Sequence, residues 1–450
     1  MAVPATEMTD MFDKTRRTLV VGLGETGLSV ARYLSGQGVP VAVVDSRTEP
    51  PALERSRAEL PADVALFLGD FNAEAFERAE QIVISPGVSM QEAAIAAAFA
   101  RGIPVIGDIE LFAQAAVAPV IAVTGSNGKS TVVTLLGAMA RRAGLDVRVG
   151  GNIGTPALDL ITEQEPDLYV LELSSFQLET VSSLRPQAAA VLNVSADHMD
   201  RYTDLQAYAA TKQSIFRQAA VQVFNLDDAL VTSLVDRSRS HTGFGCSVPI
   251  DDNYGLVAVD GQTWLSRGRR LIMPAAAISM AGQHNLTNAL AALAMGEATG
   301  IPLASMIETL TEFRGLPHRM QYVGSGNDVR WFNDSKGTNV GATLAAIEGI
   351  DEQLVLIAGG DGKGADFTPL AAAMQGRGRA AVLIGKDAGL LETLLQGVVP
   401  VRRATDMPEA VRFAAELAQP GDCVLLSPAC ASTDMFRNFE QRGDVYMQAV

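Results

Sequence analysis

The sequence predicts an α/β protein of three domains, with Rossmann-like parallel sheets at its N-terminal and C-terminal ends and a P-loop-type domain between them. Three observations carry this reading. A chain of 450 residues is longer than the roughly 250 to 300 residues at which one hydrophobic core stops growing. Short β-branched runs alternate with Ala- and Leu-rich helical stretches, the pattern of parallel sheets covered by helices. Two glycine-rich turns each stand between a predicted strand and a predicted helix.

Taken in order, 18–22 reads as a strand, 26–37 as a helix and 39–45 as the next strand, with Gly22, Gly24 and Gly27 in the first turn. Apolar runs at 64–68, 82–85 and 105–106 extend this unit to about residue 110. A second series begins with a strand at 120–124, a glycine loop and a helix over 129–143, followed by strands near Val147, at 169–173 and at 189–193. The stretch 226–275 has no clear period. Past about residue 315 a third alternating set places strands at 354–358, 381–384 and 423–426. The expected domains are therefore 1–110, 111–315 and 316–450.

Hydrophobic residues make up 48% of the chain and charged ones 19%, a globular composition with material for several cores. The net charge of -16 argues against a nucleic-acid partner, because coating a polyanion takes an excess of Lys and Arg. A phosphate-bearing ligand must instead be held by backbone amides and a few placed cations. Cys246, Cys423 and Cys430 are too few and too scattered for a disulfide framework. Residues 1–10 lack the basic flank and apolar core of a secretory signal. The uncharged stretch 111–128 is interrupted by Gln114, Pro119 and a Gly-Ser-Asn loop, so no membrane span is expected there. A cytoplasmic protein is the expectation.

Thr124-Gly-Ser-Asn-Gly-Lys-Ser-Thr131 follows an apolar strand and opens a helix. The amides of Gly125, Ser126, Asn127 and Gly128 and the helix N-terminus suit phosphate oxygens, Lys129 suits the β- and γ-phosphates, and Ser130 suits Mg. Two residues rather than four separate Gly125 from Gly128-Lys129, so the spacing is not that of the common phosphate loop. The bland alternative is a structural glycine turn. Gly22-Leu-Gly-Glu-Thr-Gly27 with Asp45 matches a dinucleotide fingerprint in spacing, and it fits NAD, another phosphate-bearing ligand, or a close helix–strand crossing without a ligand. Glu172 ends one predicted strand, the segment Asn193-Val-Ser-Ala-Asp-His198-Met-Asp-Arg-Tyr202 ends another, and Lys212 follows on a helix. In a parallel sheet the strand ends share one rim, so Glu172, His198 and the phosphate loop can converge on a metal–nucleotide complex.

Together these residues resemble the Mur ligase family, whose members extend the peptide of the bacterial cell-wall precursor, and the resemblance covers nearly the whole chain. That family's ATP loop has the short form seen at Thr124 to Thr131, which makes the central domain a P-loop-type ATPase. His284-Asn-x-x-Asn288 and Leu316-Pro-His-Arg319 are similar to further family motifs. Asn333-Asp-Ser-Lys-Gly-Thr-Asn339, Gly359-Gly-Asp-Gly-Lys363 and Ser427 to Asp434 with Phe439 are most similar to members that add D-glutamate to UDP-N-acetylmuramoyl-L-alanine. Gly337 stands where those members tend to carry Ala, and Glu25 where an apolar residue is common.

The resemblance implies roles residue by residue. Thr26, Asp45, Ser46 and Arg47 would bind the uridine diphosphate, and Asn152, Ser174 and Gln177 the sugar and its alanine. Gly125 to Thr131, Asn288, Arg319 and Asp334 would contact ATP, with Lys129 neutralising the γ-phosphate. Ser130 and Glu172 would ligate one Mg, and His198 with a carbamylated Lys212 a second. Lys336, Thr338, Lys363, Ser432 and Phe439 would seat D-glutamate, whose two carboxylates call for paired cations. Lys129, His198 and Lys212 would be the catalytic residues. The implied reaction makes an acyl phosphate from ATP and resolves it with the amine, in a monomer without membrane or nucleic-acid partners. Another cell-wall ligase or a folylpolyglutamate-type ligase is the nearest alternative. An NAD-dependent dehydrogenase would explain Gly22 to Asp45 but leave Thr124 to Thr131 without a role.

Overall fold

The computed structural model describes residues 13–280 and 282–450; the N-terminal residues 1–10 that argue against a secretory signal lie outside them. Among the described residues the strands form three sheets. The first runs Ala65–Leu68, Val41–Asp45, Thr18–Val21, Gln81–Ile84, Val105–Gly107, all parallel. Thr18–Val21 and Gln81–Ile84 are buried along their whole length, as expected of strands covered by helices on both faces. Chain order reverses beside Thr18–Val21, which opens a crevice at the C-terminal strand ends. Helix Glu25–Gly36 starts there. It crosses so close to the strand that a Cβ on Gly27 would lie 1.8 Å from the carbonyl oxygen of Gly22.

The second sheet has nine strands. Its parallel part places Val147–Gly151, Leu168–Glu172, Val120–Thr124, Ala188–Val191, Val221–Asn225 and His241–Phe244 side by side. The stretch without a clear period in the sequence resolves into a meander, Tyr254–Val259, Gln262–Arg267 and Arg270–Pro274, paired antiparallel at one edge. Helix Lys129–Arg142 packs against helix Gln283–Ala298 and helix Leu303–Glu312. No described helix is long and apolar enough to cross a membrane.

The third sheet joins an antiparallel hairpin, Gln321–Gly326 and Val329–Asn333, to parallel strands Cys423–Leu426, Leu354–Gly359, Gly378–Ile384 and Val401–Arg403. The hairpin and the last short strand are additions to the three strands legible in the sequence. Because Val329–Asn333, Cys423–Leu426 and Leu354–Gly359 are parallel, the loops that follow them rise from one rim.

The three sheets are not joined in the same way. One continuous apolar cluster runs from Leu28 and Leu34 of the first unit through Phe112, Leu158 and Leu160 to Tyr169 and Leu171 of the second. Polar contacts reinforce that junction: the Ser29 hydroxyl donates to Asp159 at 2.7 Å, and Arg32 pairs with Asp159 at 2.7 Å. The core of the third unit contains only its own residues. Phe112 is fully buried, with its ring edge-on to Tyr169 at 5.1 Å between centroids. Phe112→Ala should therefore cost about 3–5 kcal/mol, read as a lowered urea midpoint for the first two units together. A loss below about 1 kcal/mol would show that the two units do not share a core.

Candidate active site

Strand Val120–Thr124 delivers the glycine loop to the rim, and Gly125 and Gly128 take positive φ values of 153° and 82°. The neighbouring strand end pins the loop from below. The Asn127 amide donates to Asn193 Oδ1 at 2.8 Å, and Ser126 Oγ both donates to the Ser195 carbonyl and accepts from the Ser195 amide, each at 2.9 Å. Lys129 Nζ folds back onto the carbonyls of Gly125 and Ser126, both at 2.9 Å. Lys212, only 1% exposed, donates to the same Gly125 carbonyl at 3.0 Å. Burial lowers the pKa of both lysines; for Lys212 the Lys129 charge deepens the fall, while Glu172 and Asp197 oppose it at each.

Glu172 ends strand Leu168–Glu172 and is buried. Its Oε1 accepts from Asn152 Nδ2 at 2.7 Å, and its Oε2 has no protein partner. An orphaned carboxylate oxygen whose charge reaches Lys129 and Lys212 fits a hard cation that also takes phosphate oxygens and water. Among the described residues no three His, Cys, Asp or Glu side chains gather as a metal cluster. A cation here would therefore depend on the nucleotide and on the loop hydroxyl for most of its shell. His198 sits at φ 58°, ring against Phe176 at 4.7 Å, with its pKa lowered chiefly by burial. The structure brings His198 and Lys212 onto the same rim, but no hydrogen bond joins them among the described residues.

A cavity of about 360 Å³ opens beside the loop, lined by Asn127, Thr131, Asn288, Arg319 and Asp334 among others. Arg319 donates to Ser130 Oγ at 3.2 Å, and its own pKa is lowered by burial. Asp334 accepts from Ser427 Oγ at 2.7 Å and from the Met320 amide at 3.2 Å, yet burial still pushes its pKa up to about 6. Gly128 must be glycine here: a Cβ would stand 2.4 Å from Asn288 Oδ1.

A second cavity of about 480 Å³ lies in the first-unit crevice and takes in Thr26, Asp45, Ser46, Arg47, Asn152 and Gln177. Asp45 is occupied internally. It accepts from the Leu23 amide at 2.7 Å and from Arg47 Nε and NH2 at 2.8 and 2.7 Å. Burial pushes its carboxyl up, but Arg47 and the two backbone amides outweigh that and hold it below the ordinary range. A carboxylate so committed is poorly placed for the ribose contact of a dinucleotide site. Ser174 and Gln177 form a reciprocal cap on helix Ser175–Leu178. Gln177 Nε2 donates to buried Asp108 at 3.0 Å.

On the third unit, Lys336 lies over the Phe439 ring at 3.6 Å, and burial, followed by the Arg319 charge, lowers its pKa to about 8. Lys363 is near enough to His198 to lower the imidazole's pKa. Ser432 is buried and Thr338 half-buried on the same rim. Two residues that sequence reasoning did not single out complete the joint. Asn339 and Asn127 exchange side-chain amide hydrogen bonds at 3.2 and 3.3 Å, and Asn339 also donates to Asp197 at 3.2 Å. Both Asn339 and Asp197 stand inside motifs already conspicuous, but only the fold shows that they meet.

The chain matches three family descriptions end to end: "Mur ligase MurD-like, N-terminal domain" over 16–107, "Mur ligase middle domain" over 123–296 and "Mur ligase, glutamate ligase domain" over 318–430. It belongs to the Mur ligase family and is an ATP-dependent ligase of peptidoglycan synthesis. More particularly, it is 56% identical over 96% of its length to UDP-N-acetylmuramoylalanine–D-glutamate ligase of Nitrosococcus oceani, covering 96% of that protein. It is 53% identical over 97% of its length to the Marinobacter nauticus protein of the same name, covering 98% of it. Among solved structures, UDP-N-acetylmuramate-alanine ligase MurC from Thermotoga maritima shares the fold at TM-score 0.61, with 18% identity over 96% of this chain and 98% of that one.

Lys129 commits its Nζ to two loop carbonyls. Lys129→Ala should lower ligation about 10²–10³-fold, the loss typical of one preorganised charge at a reacting centre, with the urea midpoint little changed. Near-normal turnover in phosphate-release assays would remove the loop from the chemistry.

Proposed function

We propose that this chain joins D-glutamate to UDP-N-acetylmuramoyl-L-alanine at the expense of ATP, releasing ADP and phosphate. The observation that carries the reading is the linkage of three differently built sites around Glu172: Asn152, which lines the crevice with Arg47, donates to it, and its charge acts on Lys129 of the loop and on Lys336 of the third unit. Relatives at 56% and 53% identity over nearly the full length bear the corresponding name. On this reading residues 1–110 hold the UDP-linked substrate, 111–315 ATP and 316–450 the amino acid. The protein is a cytoplasmic monomer without nucleic-acid or membrane partners.

Thr26, Ser46 and Arg47 hold the uridine diphosphate, with Asp45 orienting Arg47. Asn152, Ser174 and Gln177 hold the muramoyl-alanine end. Gly125 to Thr131 cradle the ATP phosphates, Asn288 and Asp334 contact the nucleoside, and Arg319 reaches across to the loop at Ser130. The substrate carboxylate attacks the γ-phosphorus, ADP leaves, and Lys129 stabilises charge on the transferring group. The amine nitrogen of D-glutamate then attacks the acyl carbon, phosphate departs, and the amine proton is lost to solvent or phosphate. Lys336, Thr338, Lys363, Ser432 and Phe439 hold the amino acid for that step, out of water.

Two Mg ions complete the reading, one held by Ser130 and Glu172 and one by His198 and Lys212; each would supply charge neutralisation at the phosphoryl group. The orphaned Glu172 oxygen supports the first. For the second, an ammonium at Lys212 is the wrong charge, whereas a carbamate offers anionic oxygens. The depressed pKa of Lys212 favours the neutral amine, the form that adds carbon dioxide and releases a proton.

With ATP, Mg and UDP-N-acetylmuramoyl-L-alanine, phosphate release should follow added D-glutamate and not L-glutamate or L-alanine. Equal release with every amino acid would overturn the acceptor assignment. The Lys336 pKa of about 8 sets a pH signature. Below it the side chain is a cation that holds a carboxylate; as pH rises through it the charge and the affinity are lost. The kcat/KM for D-glutamate should therefore fall above about pH 8, since that ratio reports groups of the free enzyme. In Lys336→Arg that limb should vanish, because a guanidinium stays charged. An unchanged limb in the variant would assign it to another group.

A further inference from the structure

Arg442 lies in the last helix, Phe439–Ala449, and is the largest of the fully buried side chains, with 0% exposure. Its partners are neutral oxygens. Nε donates to Ser335 Oγ at 3.0 Å, NH2 to the Ser335 carbonyl at 2.7 Å and NH1 to the Cys430 carbonyl at 3.1 Å. Asp434 and Asp334 act on it only through space, and no carboxylate is within ion-pair distance among the described residues. Burial, the largest influence, lowers its pKa to about 10, which leaves it charged at neutral pH. A buried cation without a paired anion is expensive to keep. A fold stabilised by packing alone would do better with an apolar side chain there.

The three anchor points explain its place. Ser335 precedes Lys336, Cys430 is two residues before Ser432, and Ser335 Oγ in turn donates to the Phe439 carbonyl at 2.8 Å. One guanidinium thus ties together the loop after Val329–Asn333, the loop after Cys423–Leu426 and the start of the last helix. Those segments carry Lys336, Ser432 and Phe439. The next residue, Gly443, is pressed against the same corner: its carbonyl accepts from Asn333 at 3.2 Å, and a Cβ there would lie 2.2 Å from His318 Nδ1. The guanidinium is thus held to the residue that precedes Lys336, in a buried setting where charge is less screened than in water.

We propose that Arg442 is a positioning residue for the amino-acid site, one that sets Lys336, Ser432 and Phe439 in register and whose uncompensated charge favours an acceptor with two carboxylates over one with a single carboxylate. This rests on the reading that D-glutamate is the acceptor. The test uses the full chain and two acceptor analogues without the amine: glutarate, a dianion, and its monoamide glutaramate, a monoanion, each measured as a competitor of D-glutamate.

In Arg442→Gln the KM for D-glutamate should rise about tenfold, with the KM values for ATP and the UDP-linked substrate within about twofold of wild type. The preference for glutarate over glutaramate should shrink with it. Arg442→Lys keeps the charge and loses the fork, so it should raise the KM about threefold and retain the preference. Ser335→Ala loosens the anchor without changing charge and should behave like Arg442→Lys. If Arg442→Gln does not fold, the other two variants decide. A wild-type KM in both, or a preference that collapses in Arg442→Lys, overturns the proposal. In a folded Arg442→Gln, three KM values rising together, or an unchanged glutarate preference, does the same. Wild-type protein that does not ligate D-glutamate at all would instead overturn the acceptor assignment.

Discussion

Two lysines, half-buried Lys129 and buried Lys212, converge on one backbone carbonyl, that of Gly125. Arg319 reaches the same loop through Ser130, and Lys336 faces it from the third unit. Burial lowers the pKa of each of these four basic groups. In a chain of net charge -16, Lys129, Arg319 and Lys336 make a concentrated patch of positive charge, offset from nearby by Glu172 and Asp197. Such an arrangement is costly until an anion arrives, and a phosphate-bearing ligand at the start of helix Lys129–Arg142 is an anion that it suits. The parallel strand ends, the glycine φ values and the pinning contacts from Asn193 and Ser195 all serve to hold that charge in place.

The joints between units follow from the same division of labour. The first two units share an apolar core through Phe112 and Leu158, and apolar contacts of that kind do not exchange readily with water. The third unit meets the second through amides, a guanidinium and hydroxyls: Asn339 with Asn127 and Asp197, Arg319 with Ser130. Water can replace each of those partners at little cost. The crevice at Arg47 is therefore built on a pair of units that share a core, while the third unit is joined by polar contacts, the kind that domain closure around a ligand makes and breaks.

Strands buried on both faces were legible from the sequence because their apolar runs are continuous: 18–21, 120–124, 354–359 and 423–426. The meander at 254–274 was not, since its strands are partly exposed and carry Gln262, Thr263, Arg267 and Arg270 among the apolar residues. The same applies to Gln321–Gly326, which exposes Tyr322 and ends in small residues. At the site, Lys129, Ser130 and Glu172 stood out by chemistry and position, and the family resemblance supplied Lys336 and Lys363. Asn339, Asp108 and Arg442 owe their importance to partners 100 or so residues away or across a unit boundary, and local pattern carries no trace of such distances. In sequence Arg442 is indistinguishable from a solvated helix residue.

The separate core of the third unit has a consequence for how the molecule can be altered. A module whose apolar packing is self-contained, and whose boundary is made of replaceable polar contacts, is a natural crossover point for recombination between related ligases. Chimeras joined just after Phe313 would keep both halves' interiors intact. The same cut between the first two units would expose Leu28, Phe112 and Leu158 together. Under the proposed function, acceptor choice would travel with a transplantable part, whereas recognition of the nucleotide-linked substrate would be inseparable from the engine that activates it.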